Sequence, residues 1–198
     1  MPLRRRDQRC EPRDEGDAGT VATQASFGDF KTTFSGGTYI YPDSASVVPP
    51  APALTSDITK SNWHISGTVG TYSGFGLYWN ARAKLDASAF KGISMTISST
   101  GTIPANTLYL SVNTAADTIS TAWYAKYTVP PATYSATFGT CNPPGSNQYD
   151  STCTAPSKAI AVTTTPTPVT IMWADLTGGK PSPSVTPSEL TGISFYFS

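Results

Sequence analysis

The side chains that could do chemistry in this sequence are mainly tyrosines and polar residues on predicted strands. Residues 75–79, 108–113 and 123–129 each alternate in polarity, which predicts three strands with one core face and one outward face. In the last of these strands, parity places Trp123 on the face opposite Tyr124. The outward-facing candidates for ligand binding are Tyr78, Tyr109, Asn113, Tyr124 and Lys126.

These residue types favour a neutral carbohydrate as the ligand. A sugar has apolar C–H faces, on which aromatic rings stack, and a rim of hydroxyl groups, which Asn and Lys side chains can hydrogen-bond. The tryptophans are expected in the core, whereas a tyrosine can be half exposed with its hydroxyl in water. The prediction is non-catalytic binding of a neutral polysaccharide. A structural or adhesive surface domain without a sugar site is one alternative.

A pair of carboxylates is the other alternative, and the sequence leaves it open. A glycosidase needs two acids at the right separation. The acids beyond the first 24 residues are Asp29, Asp43, Asp57, Asp86, Asp117, Asp150, Asp175 and Glu189. Most of them lie in predicted turns, where Asp forms local hydrogen bonds. A serine triad would need the single histidine, His64, and an activated serine, and no nucleophile-elbow pattern supplies that serine. We assign no catalytic residue, and a β-jelly-roll glycoside hydrolase or lyase stays an alternative.

The cysteines indicate a disulfide and, through it, an oxidising compartment. Cys141 and Cys153 bracket a loop rich in turn formers. A disulfide there would restrict the loop in the unfolded chain and so stabilise the folded protein by roughly 3 kcal/mol. No CxxC pattern occurs and His64 is remote, so no metal site is assigned. Cys10 is left over. We expect a secreted protein, although residues 1–17 lack the apolar core of a signal peptide.

Charge is concentrated at the start of the chain. Of the 13 basic and 13 acidic residues, ten fall within the first 17 positions. We therefore expect a disordered charged tail over residues 1–24 and one folded domain over residues 25–198. The domain has few charges, so we expect no nucleic-acid partner, and no apolar run has the length of a membrane span.

The fold prediction depends on two similar segments. In the first, Asp86 is expected to cap a short turn, after which residues 93–97 form a strand with Ile93, Met95 and Ile97 towards the core. In the second, Thr186 and Glu189 have the spacing of a capping box before a strand over residues 193–197. With no long helix and regularly spaced strands, the sequence predicts an all-β fold, an antiparallel β-sandwich (jelly roll) with one or two short helical turns.

The order of these motifs resembles the jelly-roll, galactose-binding-like carbohydrate-binding modules of secreted polysaccharide-degrading enzymes. The matching segments, spread over roughly residues 26–198, are 72–77, 85–93, 123–124, 169–176 and 189–193. The resemblance implies a neutral polysaccharide or oligosaccharide as partner and a linked catalytic domain. It implies no cofactor beyond a structural calcium, for which the usual Asp-Phe-Glu is replaced here by residues 29–31, Asp-Phe-Lys. Family members usually carry one more strand, so we expect either that the domain lacks its last strand or that another segment fills the edge left open.

Overall fold

A computed structural model describes residues 37–42, 54–58, 63–67, 69, 72–78, 84–127, 139–147 and 150–198. The predictions for the charged tail (1–24), the start of the domain, Cys10, the calcium motif (29–31) and Trp79 lie outside these residues.

The described residues form nine strands and one α-helix. The strands are β1 (Gly37–Pro42), β2 (Leu54–Ile58), β3 (Trp63–Gly67), β4 (Ser73–Tyr78), β5 (Gly92–Ile97), β6 (Leu108–Thr114), β7 (Ser157–Ala159), β8 (Thr167–Met172) and β9 (Leu190–Phe197). The helix is α1 (Thr121–Tyr127), and two 3-10 turns span Trp173–Asp175 and Pro187–Glu189. The strands pair antiparallel in a five-stranded sheet, β1-β4-β9-β6-β7, and two two-stranded sheets, β2-β3 and β5-β8. The all-β antiparallel prediction is confirmed.

The five-stranded sheet contributes one apolar layer of the core. Every second residue of β6 points inward, and Leu108, Leu110 and Val112 are all 2% exposed or less. On the neighbouring strands, Phe75 of β4 stacks on Phe195 of β9 with ring centroids 5.0 Å apart. Because successive side chains of a strand point to opposite faces, one face of this sheet carries core residues and the other carries polar and aromatic side chains.

The two small sheets supply the opposite layer. Ile171 of β8 is buried, and Ile93, Met95 and Ile97 of β5 pack against the same cluster, as predicted. From β3, the ring of Trp63 meets Phe75 edge-on at 5.1 Å. The core therefore lies between the five-stranded sheet and the two small sheets, as in a sandwich.

The two similar segments pair with each other. Leu85 and Leu190 exchange backbone hydrogen bonds of 2.8 and 3.0 Å, and the amide of Ala87 bonds the carbonyl oxygen of Pro187. Asp86 caps its turn as predicted, accepting the amide of Ser88 at 2.9 Å. The capping box is wrong: the Thr186 side chain makes no cap bond. Since this segment is a single 3-10 turn closed through the backbone of Thr186, the Glu189 carboxylate is free to pair with Lys84 at 3.0 Å.

The predicted strand over residues 123–129 is wrong, because α1 occupies Thr121–Tyr127. The hydroxyl of Ser120 accepts the amide of Trp123 at 3.1 Å, which is an N-cap bond, and the Tyr124 amide bonds the Ser120 carbonyl oxygen. Trp123 and Tyr127, four residues apart, bring their rings within 5.0 Å on one helix face. The local cap and the helical pair outweigh the apparent two-residue alternation.

β9 lies in the middle of the five-stranded sheet, hydrogen-bonded to β4 on one side and β6 on the other. A further strand beyond it stays a prediction. The central position of β9 is what joins the two halves of the outward face described next.

Candidate binding face

The outward face of the five-stranded sheet gathers five of the described tyrosines, and we call these five residues the tyrosine face. Tyr39 lies on β1, Tyr78 on β4, Tyr109 on β6 and Tyr196 on β9, each on the side opposite the core residues of its strand. Tyr72 directly precedes β4 in the same parity as Tyr78, and its ring centroid lies 5.9 Å from that of Tyr196. The members of the tyrosine face are Tyr39, Tyr72, Tyr78, Tyr109 and Tyr196.

Glycines on neighbouring strands make room for two of these rings. Tyr39 is in register with Gly76, and a methyl group at Gly76 would overlap the Tyr39 ring. Tyr78 is in register with Gly37, where a methyl carbon would come within 2.6 Å of the phenol oxygen. The two rings therefore lie across the backbone of the adjacent strand, so they raise this half of the face only slightly above the sheet.

The other half of the face is a cluster of three rings. Tyr109 and Tyr196 are cross-strand partners, and their rings stack with centroids 5.1 Å apart and planes 8° from parallel. The Tyr196 hydroxyl hydrogen-bonds the hydroxyl of Ser157 at 3.1 Å. Burial, with smaller contributions from Tyr72 and Tyr109, raises the pKa of Tyr196. Tyr72, 41% exposed, is the member most open to solvent.

A chain of hydrogen bonds connects Tyr39 on β1 with side chains on β9 and β6. The Tyr39 hydroxyl lies 3.0 Å from the hydroxyl of Ser194, which donates to Asn113 Oδ1 at 2.8 Å. The polar groups beneath the rings are thus connected across three strands, β1, β9 and β6.

Asp117 is a buried acid four residues after Asn113 in the sequence. It is 5% exposed and lies in the turn after β6, where the register shifts between Asn113 and Thr114. Its carboxylate accepts the Thr114 amide at 3.0 and 3.1 Å and the Thr114 hydroxyl at 2.7 Å. Burial raises the pKa of Asp117 to about 6, against the opposing effect of its hydrogen bonds.

Three of the five predicted site residues come together on this sheet. Tyr78 and Tyr109 belong to the tyrosine face, and Asn113 lies beside them on β6. Tyr124 and Lys126 lie instead on α1, where the Lys126 ammonium sits 4.8 Å from the centroid of the Tyr127 ring. Their predicted place on the sheet depended on the strand over residues 123–129, which is wrong. They lie on α1 and not on the five-stranded sheet.

Sequence reasoning missed Tyr39, Tyr72, Tyr196 and Ser194. Tyr196 lies on the strand predicted over residues 193–197, at an outward position by the same alternation that selected Tyr109, so applying that parity rule there would have found it. Tyr39 lies at an outward position of β1. Ser194 carries no such signal, because its role depends on β9 lying between β4 and β6.

α1 packs on the disulfide loop. Cys141 and Cys153 form the predicted disulfide, with Cα atoms 5.9 Å apart. The Trp123 indole is buried and its Nε1–H donates to the carbonyl oxygens of Pro143 and Gly145, at 3.0 and 2.9 Å. Trp123 is therefore a core residue of this corner of the molecule, as expected for the tryptophans.

The acids described elsewhere have local partners. Asp86 accepts the amide and hydroxyl of Ser88, Asp150 accepts the amide of Thr152, and Asp175 accepts the amide of Met172 and pairs with Lys158. These hydrogen bonds, led in each case by the side-chain contact, lower the pKa of all three carboxyls. Within the described part of the chain, His, Cys, Asp and Glu nowhere form a group of three that could hold a metal ion.

Comparison with protein-family models, with curated proteins and with solved structures gives no match. None of the helices in the described residues has the length and apolar character needed to cross a membrane.

Proposed function

We propose that this protein binds a neutral polysaccharide, without catalysis, through the tyrosine face. The observation that carries the proposal is the face itself: five tyrosines on adjacent strands over a connected set of hydroxyl and amide groups. Aromatic rings offer surfaces for the C–H faces of sugar rings, and the polar groups between them suit sugar hydroxyls.

The shape of the face supports a chain-like ligand. The rings of Tyr39 and Tyr78 lie across glycine positions, so they add little height to the sheet. Tyr109 and Tyr196 stand on the two strands that follow across the sheet. A polymer laid across the strands meets aromatic surface on β1, β4, β9 and β6 in turn, which suits an extended polysaccharide better than a compact small molecule.

The charge of the face supports a neutral ligand. Its described side chains are phenols, hydroxyls and the Asn113 amide, and Asp117, in the turn after β6, is buried. The exposed acids whose side chains the structure describes take part in turns and ion pairs elsewhere, which favours binding over hydrolysis. The resemblance to carbohydrate-binding modules points the same way and adds a linked catalytic domain as a partner.

The proposal includes secretion. A disulfide such as Cys141–Cys153 persists in oxidising compartments, which is where a secreted polysaccharide-binding protein would work.

Retention on insoluble polysaccharides tests the function. Wild-type protein is incubated with a panel of neutral β-glucans, xylan, mannan and galactan, and the bound fraction is measured beside the variants Tyr109→Ala and Tyr196→Ala. Each variant loses stacking surface, and we expect about tenfold weaker retention, equivalent to about 1.4 kcal/mol. Met172→Ala, at an exposed position of β8 in the other layer, is the matched control and should bind like wild type.

Two outcomes would overturn the proposal. Wild-type protein that is retained by no member of the panel would refute polysaccharide binding. Retention that survives both tyrosine substitutions would refute the tyrosine face as the site. Tyr124→Ala adds a discriminating comparison, because loss of retention in that variant alone would move the site to α1.

A further inference from the structure

We propose that Ser157 is a positioning residue of the tyrosine face. By accepting a hydrogen bond from the Tyr196 hydroxyl, it holds the Tyr196 ring across β6. That ring in turn sets the plane of Tyr109, the ring on which a sugar stacks. The inference rests on the proposed function, and it deepens that function by distinguishing the ring that meets the glycan from the groups that orient it.

The Tyr196 side chain crosses a neighbouring strand to reach Ser157. Tyr196 lies on β9 and Ser157 on β7, and β6 lies between those two strands. Neighbouring strands are roughly 4.8 Å apart, so roughly 10 Å separate the backbones of β9 and β7. The Tyr196 hydroxyl nevertheless lies 3.1 Å from the Ser157 hydroxyl. The Tyr196 side chain therefore extends over β6 towards β7.

The strand register shows which part of β6 this side chain covers. Tyr196 is in register with Tyr109 of β6. Ser157 is in register with Ser111, two residues further along the same strand. The Tyr196 side chain therefore passes over β6 between Tyr109 and Ser111. Ser111 has the outward parity of Tyr109, yet it is only 5% exposed, as expected for a side chain that a neighbouring ring covers.

The backbone of Ser157 is held on both sides, so its hydroxyl has a fixed position. On one side, the Ser157 amide donates to the Thr177 carbonyl oxygen at 3.0 Å, and the Thr177 amide donates back to the Ser157 carbonyl oxygen at 3.3 Å. On the other side, β7 pairs with β6, and the Pro156 carbonyl oxygen accepts the Val112 amide at 3.2 Å. Ser157 therefore keeps its place independently of the ring that it binds.

The plane of the Tyr109 ring depends on that of Tyr196. The two rings are 8° from parallel with centroids 5.1 Å apart, and among the described residues Tyr196 is the only ring packed on Tyr109. Tyr72 also contacts Tyr196, at 5.9 Å, but its ring is tilted by 40°. One face of the Tyr109 ring is thus supported by Tyr196, and the opposite face is the one that a sugar can meet. A ring already held in its binding orientation loses less freedom when the ligand binds, which strengthens the affinity.

Ring NMR without any glycan tests the positioning. The full chain is labelled with ¹³C in the tyrosine rings, and Ser157→Ala is compared with wild type. Loss of the hydrogen bond lets the Tyr196 ring reorient, so the signals of the Tyr109 ring stacked on it should shift. Tyr196→Phe removes the same bond from the other partner and should shift the Tyr109 signals too. The double variant should shift them no further than Tyr196→Phe alone, because the bond is already absent.

Retention on a polysaccharide that wild-type protein binds tests the consequence. We expect Ser157→Ala and Tyr196→Phe each to weaken retention by about threefold, and the double variant to bind no more weakly than either single variant. Ser94→Ala is the matched control, since it removes a 3.0 Å bond between the hydroxyls of Ser94 and Thr170 in the other layer. It should leave retention and the Tyr109 signals unchanged. A purely structural role for Ser157 would lower the melting temperature and leave retention unchanged.

Three results would each overturn the inference. The first is a set of Tyr109 signals that stays constant in Ser157→Ala, and the second is retention of Ser157→Ala equal to that of wild type. The third is a further loss of retention when Ser157→Ala is combined with Tyr196→Phe. Wild-type protein that no polysaccharide retains would refute the proposed function, whereas the ligand-free spectra would still decide whether Ser157 orients the two rings. The two failures are therefore distinguishable.

Discussion

Two buried serines show how strongly the role of a residue depends on its neighbours. Ser194 is 7% exposed on β9, and its hydroxyl joins Tyr39 to Asn113. Ser73 is fully buried at the start of β4, and in the described part of the chain its hydroxyl has no hydrogen-bond partner. A buried hydroxyl without a partner carries its desolvation cost uncompensated. We therefore expect alanine substitution at the two positions to change the free energy of unfolding in opposite directions.

We expect Ser73→Ala to raise the free energy of unfolding by about 1 kcal/mol, because it removes an unsatisfied buried hydroxyl and keeps a small side chain. Urea unfolding followed by tryptophan fluorescence measures the change. Ser194→Ala, which breaks two hydrogen bonds, serves as the comparison and should lower stability. A loss of stability in Ser73→Ala would show that its hydroxyl has a partner.

At the scale of the element, α1 and the disulfide loop stabilise each other through Trp123. The indole N–H bonds two loop carbonyl oxygens, and the amide of Ser120 at the helix start bonds the Cys141 carbonyl oxygen at 2.8 Å. A helix of seven residues is too short to be stable alone, so it depends on these contacts.

Trp123→Phe should therefore destabilise the protein by about 2 kcal/mol, since it leaves two loop carbonyl oxygens without their donor and reduces packing. Lys126→Ala on the same helix is the control, because its exposed side chain should contribute within about 0.5 kcal/mol. Thermal unfolding by circular dichroism measures both. Equal melting temperatures for the two variants would contradict the anchoring role of Trp123.

The same helix shows where sequence reasoning succeeds and where it fails. For residues 108–113 the alternation of polarity is clean, and the predicted core residues Leu108, Leu110 and Val112 are confirmed. For residues 123–127 the aromatic side chains fit a period of two and a helical i, i+4 pair equally well. The Ser120 cap and the carbonyl oxygens of a loop some twenty residues away decide between them, and those contacts cannot be seen in the local pattern.

At the scale of the whole molecule, strand order creates the candidate site. Alternation predicts that Tyr109 faces outward, but only the pairing of β6 with the distant β9 places Tyr196 against it. The same pairing brings Ser194 beside Asn113. The face to which a side chain points can be predicted from the local alternation of polarity, whereas the neighbour of each strand is set by the global topology. The sequence therefore predicts single members of the site and not how they come together.

Asp117 also makes stability depend on pH across the whole molecule. Its pKa is about 6 in the folded protein against 3.8 as the ordinary value, so the folded state holds the proton more tightly. The stabilisation is fully present below about pH 4 and is lost as the pH rises through 6, a total of about 3 kcal/mol. The lowered pKa values of Asp86, Asp150 and Asp175 act in the opposite sense, since their stabilisation is lost as the pH falls through the folded values.

We therefore expect wild-type protein to melt about 3 °C lower at pH 7 than at pH 5, corresponding to about 1 kcal/mol. Asp117→Asn keeps the size of the side chain and removes its titration, so the difference between the two pH values should shrink. Scanning calorimetry at both pH values, on both proteins, measures this. A melting temperature that rises from pH 5 to pH 7 in wild type would contradict the buried, raised-pKa state of Asp117.

The central claim, that the tyrosine face binds a neutral glycan, is tested most directly by titrating ring-labelled protein with oligosaccharides of the retained polysaccharide. Tyrosine ring signals are recorded by ¹H–¹³C NMR at each ligand concentration. We predict saturable shifts at Tyr39, Tyr78, Tyr109 and Tyr196, and none at Tyr124 on α1. Shifts confined to Tyr124 and Tyr127, or no shift at any tyrosine, would contradict the account.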